Sequence, residues 1–112
     1  MKSLNEIDGK ILEVGNKDYQ IAIVNNLTLD SDDLGQCCYR KSCINIEAEL
    51  VKQPELMLEV VIHEIQHALN ERFNLNKIKD EEDFTEQQAI AWATVMRRNK
   101  WLTDFLQLAA KG

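Results

Sequence analysis

The chain lacks any long apolar run. Nothing in its 112 residues approaches the roughly 20 consecutive apolar positions that a membrane helix needs. The first residues, Met1 to Glu6, lead into no apolar segment of the signal-peptide kind, so the protein is expected to stay in the cytoplasm. Internal repeats and low-complexity tracts are also missing. So is an excess of basic charge: 13 basic residues face 19 acidic ones, a formal net charge of −6. That balance argues against nucleic acid or an anionic membrane as a main partner. Three cysteines, Cys37, Cys38 and Cys43, form no Cys-x-x-Cys pair. An odd number without a secretion signal implies reduced thiols, and free cysteine most often acts as a small buried hydrophobe. Histidine is the scarcest chemistry-bearing residue. There are two, and both fall in a single motif.

That motif is His63-Glu64-Ile65-Gln66-His67, set in the stretch Val60 to Leu69. On a helix, positions four apart lie about 40° apart around the axis and one turn along it, so both imidazoles leave one face. Two nitrogens so placed can share one Zn²⁺, and Glu64, about 100° further round, can reach a metal-bound water without being a ligand. Leu58, Val61, Ile62, Ile65, Ala68 and Leu69 fall in an arc roughly opposite the histidine pair, which gives the helix a separate packing side. Pro54 suits the start of this helix, because its missing N–H needs no partner there. The plainer alternative is a pair of polar residues on an exposed face.

A hydrolytic zinc site needs a third protein ligand and an open fourth position. With no third histidine, that ligand must be a carboxylate or a thiolate. Downstream, Asp80 to Glu86 is rich in acids and precedes a second helix, expected from about Thr85 to Asn99. There Ala89, Ile90, Ala93 and Met96 form the expected inward stripe, with Glu86 on the same side. An inward carboxylate costs several kcal/mol unless a charge meets it, which a divalent cation would do. Glu86 is therefore the first candidate and Glu82, a turn earlier, the second. The competing account is helix capping, with Asp83 as N-cap and Glu86 three residues on. Adjacent cysteines do not readily hold one ion together. One thiolate touching the metal from a neighbouring strand is the remaining option, and it would fill the water position and silence hydrolysis.

At this length, with 45% hydrophobic and 29% charged residues, residues 1–112 are read as one soluble domain. The first half reads as β. Ile7 to Val14 is a strand or a short helix, Gly15 to Asp18 a turn, and Tyr19 to Val24 a strand. Asn25 to Gly35 reads as a loop, and Gln36 to Tyr39 pairs with Cys43 to Glu47 as a hairpin. Trp101, Leu102, Phe105 and Leu106 lie in a short amphipathic segment that covers the core or, alternatively, binds a partner. The expected class is α+β: a small antiparallel or mixed sheet on two main helices plus a short C-terminal helix, with the metal between the start of the second helix and the middle of the first.

Cys38, Ile44-Asn45-Ile46, the stretch Val61 to Leu69, Glu86 and the ending Asn99-Lys100-Trp101-Leu102 together resemble the small ImmA/IrrE-like metallopeptidases. These are zincin-fold proteins common in bacterial genomes, their phages and mobile elements. The resemblance covers about residues 35 to 106 and is sharpest at the histidine motif. It implies a zinc ion held by His63, His67 and Glu86, with Glu64 as general base. It also implies that the hairpin strand running to Glu47 lies along the cleft, where an extended peptide adds as a further strand. Some relatives cleave a repressor, so a separately encoded transcriptional regulator is an expected partner or substrate.

The chemistry so implied is hydrolysis of a peptide bond. The oxyanion needs a donor besides the metal, and Tyr39, Arg40 and Tyr19 are the obvious upstream residues, none singled out by spacing. Ni²⁺ or Co²⁺ would also suit such ligands. Two further functions stand beside the peptidase: a zinc-binding module without catalysis, and a metal-free adaptor in which the motif is accidental.

Overall fold

A computed structural model describes residues 1–27 and 33–112. The expected Asn25–Gly35 loop lies partly outside them. Four strands form one mixed sheet in the order β1-β2-β4-β3: β1 Ile11–Val14, β2 Lys17–Val24, β3 Gly35–Cys38 and β4 Cys43–Glu47. Three helices follow: α1 Pro54–Arg72, α2 Glu81–Arg98 and α3 Lys100–Ala110. The architecture is α+β. Among the described residues no helix is long and apolar enough to cross a membrane.

The strands form where branched residues alternate. In β1 and β2, Leu12, Val14, Tyr19 and Ile21 face inward, and in β4 Ile44 and Ile46 do the same. β1 and β2 join as an antiparallel hairpin, Val14 opposite Lys17, with Gly15 at φ +62° in the tight turn. Ile7 to Val14 is thus two elements. A 3-10 turn over Leu4–Ile7 ends at Asp8-Gly9, where Gly9 takes φ +84°, and the strand starts at Ile11.

β3 and β4 are the expected hairpin, antiparallel with Cys38 opposite Cys43. The strand expected to border the cleft is corrected by the sheet order. β4, running to Glu47, pairs in parallel with β2 on its other side and has no free edge. The edge strand is β3.

One apolar cluster joins the sheet to the helices, with Met57, Val61, Ile65, Ala68 and Leu69 of α1 at its centre. Ile62, expected on the packing side of α1, is 39% exposed. The buried arc is turned toward Glu64 because β3 packs on that flank. α3 closes the core as expected: Leu102 and Phe105 are fully buried, and the Trp101 indole donates to the Ile11 carbonyl at 2.9 Å. Between α2 and α3, the buried Asn99 side chain accepts from the Glu13 N–H at 2.8 Å. It donates to the Glu13 carbonyl at 2.9 Å.

α2 begins at Glu81, four residues ahead of Thr85, and its N-cap is Asp80, whose carboxylate accepts from the Glu82 N–H. Its inward stripe is also rotated from the expected one. Ala91 and Val95 are buried and Phe84, Gln88, Trp92 and the expected Met96 half-buried, whereas Ala89, Ile90 and Ala93 are exposed. Glu86 is exposed with them. The rotation follows a polar clasp: Gln66 Oε1 of α1 accepts from Gln88 Nε2 at 2.8 Å and from Trp92 Nε1 at 2.9 Å.

Candidate metal centre

α1 supplies the motif residues on one rigid rod of 19 residues, with Pro54 at its first turn and Arg72 at its last. The two imidazoles project together, their Nε2 atoms 3.2 Å apart and their rings edge to face at 75°. Two ligands on one tetrahedral Zn²⁺, each at about 2.0–2.1 Å, stand about 3.3 Å apart. That separation suits a hydrogen bond between the two rings and is also close to what a shared cation needs. Both histidines are exposed, so an ion has access.

Glu64 is buried, at 7% exposure. Burial pushes its carboxyl above the usual carboxylate range; His63 and His67 pull it down, and Asp33 pushes it up. A carboxyl so placed holds a proton more readily than an exposed one, which suits a group that must take a proton and give it back.

The edge strand closes over Glu64. A β-carbon at Gly35 would lie 2.7 Å from Val60 Cγ1 and 2.9 Å from Glu64 Cγ, so only glycine fits there as the chains stand. Between β3 and α1 opens a cleft of about 510 Å³ whose wall includes Asp33, Gly35, Cys37 and Tyr39 along with His63, Glu64 and His67. A second hollow of about 350 Å³ continues from it past Leu34, Leu56 and Val60.

Cys37 faces into this region. Its thiol is pushed up to about 12, first by burial, then by the Glu64 charge and the other two cysteines, with Lys17 opposing. Tyr39 donates its hydroxyl to the His67 carbonyl at 3.2 Å. Burial, then Cys37, Glu71 and Glu64, raise its hydroxyl, which keeps it a proton donor. Of the three upstream donors named from the sequence, Tyr39 alone lines the cleft. Arg40 is exposed outside the cleft wall, and Tyr19 is fully buried. Burial first, then Cys37 and Glu71, raises the Tyr19 hydroxyl, which makes no hydrogen bond of good geometry.

The structure thus brings His63, His67 and Glu64 together. It does not add Glu86 or Glu82 to them: both are exposed on α2, and no group of three His, Cys, Asp or Glu able to hold a metal ion occurs among the described residues. Besides Glu64, the acid in the cleft wall is Asp33, which is not among the residues expected from the sequence. Its only sequence signal was membership of a run of acids before Gly35, which reads equally well as a loop. No family model, curated protein or solved structure matches this chain.

Proposed function

We propose that the protein is a small zinc-dependent metallopeptidase of the zincin kind, similar to the ImmA/IrrE-like proteins, acting on an extended segment of a specific protein partner. The observation that carries this reading is the 3.2 Å separation of the two Nε2 atoms beside a buried Glu64. His63 and His67 would hold the ion. Bound zinc would supply Lewis acidity and a water of lowered pKa.

The chain's own residues would do the rest. Glu64 takes the water proton and passes it to the leaving amine. The Tyr39 hydroxyl, at the cleft wall, is the donor available to the oxyanion. The Leu34 carbonyl accepts from the Glu47 N–H, and ladder bonds alternate along an antiparallel pair. The main-chain groups of Gly35 and Cys37 therefore point out along the edge of β3 that pairs with no strand among the described residues, where an extended peptide can add as a strand. The hollow beside Leu34, Leu56 and Val60 suits an apolar side chain of that peptide.

For the third ligand the resemblance implies Glu86, and Asp33 of the cleft wall is the second residue to test; either would have to shift to join the two histidines. The test is elemental analysis with zinc titration of the wild type and of His63→Ala, His67→Ala, Glu86→Ala and Asp33→Ala. About one equivalent of zinc is expected in the wild type, lost in both histidine variants and in the variant of the true third ligand. Less than about a tenth of an equivalent, with no thermal shift on chelation, would overturn the reading. The exposed His63–His67 pair would also serve one other reading, a zinc-binding module without turnover. Glu64→Gln separates the two, since only a peptidase loses its biological effect.

A further inference from the structure

Two of the three thiols meet across the β3–β4 hairpin. Cys38 and Cys43 are the pair that closes the antiparallel ladder, directly before and after the turn at residues 39–42. Counting from the Leu34–Glu47 bond, the alternation makes Gln36–Asn45 and Cys38–Cys43 hydrogen-bonded positions. At such positions the Cα atoms stand about 5.5 Å apart, inside the range that a disulfide spans.

Direction agrees with distance. Ile44 and Ile46 are buried toward the helices, so Cys43 points to the other face of the sheet. A β-carbon at Gly35 would point at α1, so Cys38, three residues on, also points away from it. Burial, followed by the neighbouring Cys38, holds the Cys43 thiol above its ordinary range. Neither side chain is fully buried, and Cys38 reaches the rim of the cleft. Cys37, on the helix-facing side, has Ile44 opposite it and no sulfur.

We propose that Cys38 and Cys43 form a reversible intramolecular disulfide by exchange with glutathione disulfide, stapling the hairpin that carries the edge strand of the cleft. One protein thiolate attacks a sulfur of glutathione disulfide, forms a mixed disulfide and expels one glutathione thiolate. The second cysteine, deprotonated in turn, attacks the protein sulfur of that mixed disulfide and expels the other glutathione. Two electrons pass from the protein pair to the oxidant, and the two glutathiones formed take up the two thiol protons. The bond fixes the strand end next to Tyr39, whose hydroxyl rests on the His67 carbonyl. It stands independently of the metallopeptidase reading, because it needs neither zinc nor turnover.

The experiment equilibrates the full-length chain with glutathione buffers of rising oxidised fraction, blocks remaining thiols and maps the tryptic fragments. Arg40 and Lys41 lie between the two cysteines, so trypsin separates Cys38 from Cys43 unless a disulfide holds the fragments together. The expected result is a fall from three free thiols to one, with the two fragments linked in both the wild type and Cys37→Ala. Cys43→Ser should stop at a mixed disulfide with glutathione. Three thiols persisting in oxidised buffer, or a link that disappears in Cys37→Ala, would overturn the proposal. If a variant fails to fold, the wild-type thiol count and fragment map still decide, because tandem fragmentation tells Cys37 from Cys38.

Discussion

Gly35 and Glu64 leave no room for a side chain between them: a β-carbon on Gly35 would stand 2.9 Å from Glu64 Cγ and 3.1 Å from Glu64 Oε2. The backbone of the edge strand and the side chain of the proposed base are thus in direct register. Gly35→Ala is expected to destabilise the fold by about 1–3 kcal/mol, the usual cost of overpacking. Val60 Cγ1, at 2.7 Å, is the other atom in the way. Adding Val60→Ala should therefore recover part of the loss, by at least about 0.5 kcal/mol of coupling in a double-mutant cycle read by urea midpoints.

The burial that raises the Glu64 carboxyl works against its charged form. Glu64→Gln removes that charge and keeps the shape. In metal-free protein at neutral pH its melting temperature should equal or exceed that of the wild type. The same variant should bind zinc as tightly as the wild type while peptide hydrolysis falls by about 10²–10⁴-fold, the usual worth of a general base. A variant that lost zinc along with turnover would remove Glu64 from that role.

Cys37 gives a pH signature. In the folded chain its thiol titrates at about 12 against an ordinary 9.0. Between those values the unfolded chain gives up the proton and the native one keeps it, so stability contributed by this group falls as pH rises. Thermal melts from about pH 8 to about pH 10.5 should show the wild type losing ground to Cys37→Ala steadily. A difference independent of pH would mean that the thiol is not shielded.

Asn99 is expected to matter more than any surface ion pair. Its amide satisfies both main-chain groups of Glu13 and donates to the Val95 carbonyl at 2.8 Å, all with the residue 4% exposed. Asn99→Ala should cost about 2–3 kcal/mol, through lost bonds and polar groups left unmet. By contrast Arg98→Ala, which breaks the exposed 2.8 Å bridge to Glu13, should cost under about 1 kcal/mol. Parallel denaturation curves check the ranking.

The parts of the molecule that sequence reveals are those where pattern and packing coincide. The motif helix, the β3–β4 hairpin and the buried Leu102 and Phe105 are of this kind, because alternation and apolar spacing report burial directly. α2 shows the limit. Its alanines give more than one apolar stripe of similar strength, and the one that turns inward contains Gln88, whose polarity hides it until the bond to Gln66 is seen. The same difference in phase leaves Glu86 exposed. Strand order lay beyond reach altogether: nothing in β4 announces that its second edge is taken by β2. Asp33 and Tyr39 enter the cleft through the hairpin's geometry, which no local spacing encodes.

The contacts that tie Glu13 to Asn99 and Arg98, and Ile11 to Trp101, join residues 85 to 90 apart in the chain. During synthesis, then, the outer border of β1 waits uncovered until residues 98 to 101 have been made. A nascent chain stalled before residue 99 presents a bare strand to its neighbours, ready to pair with them.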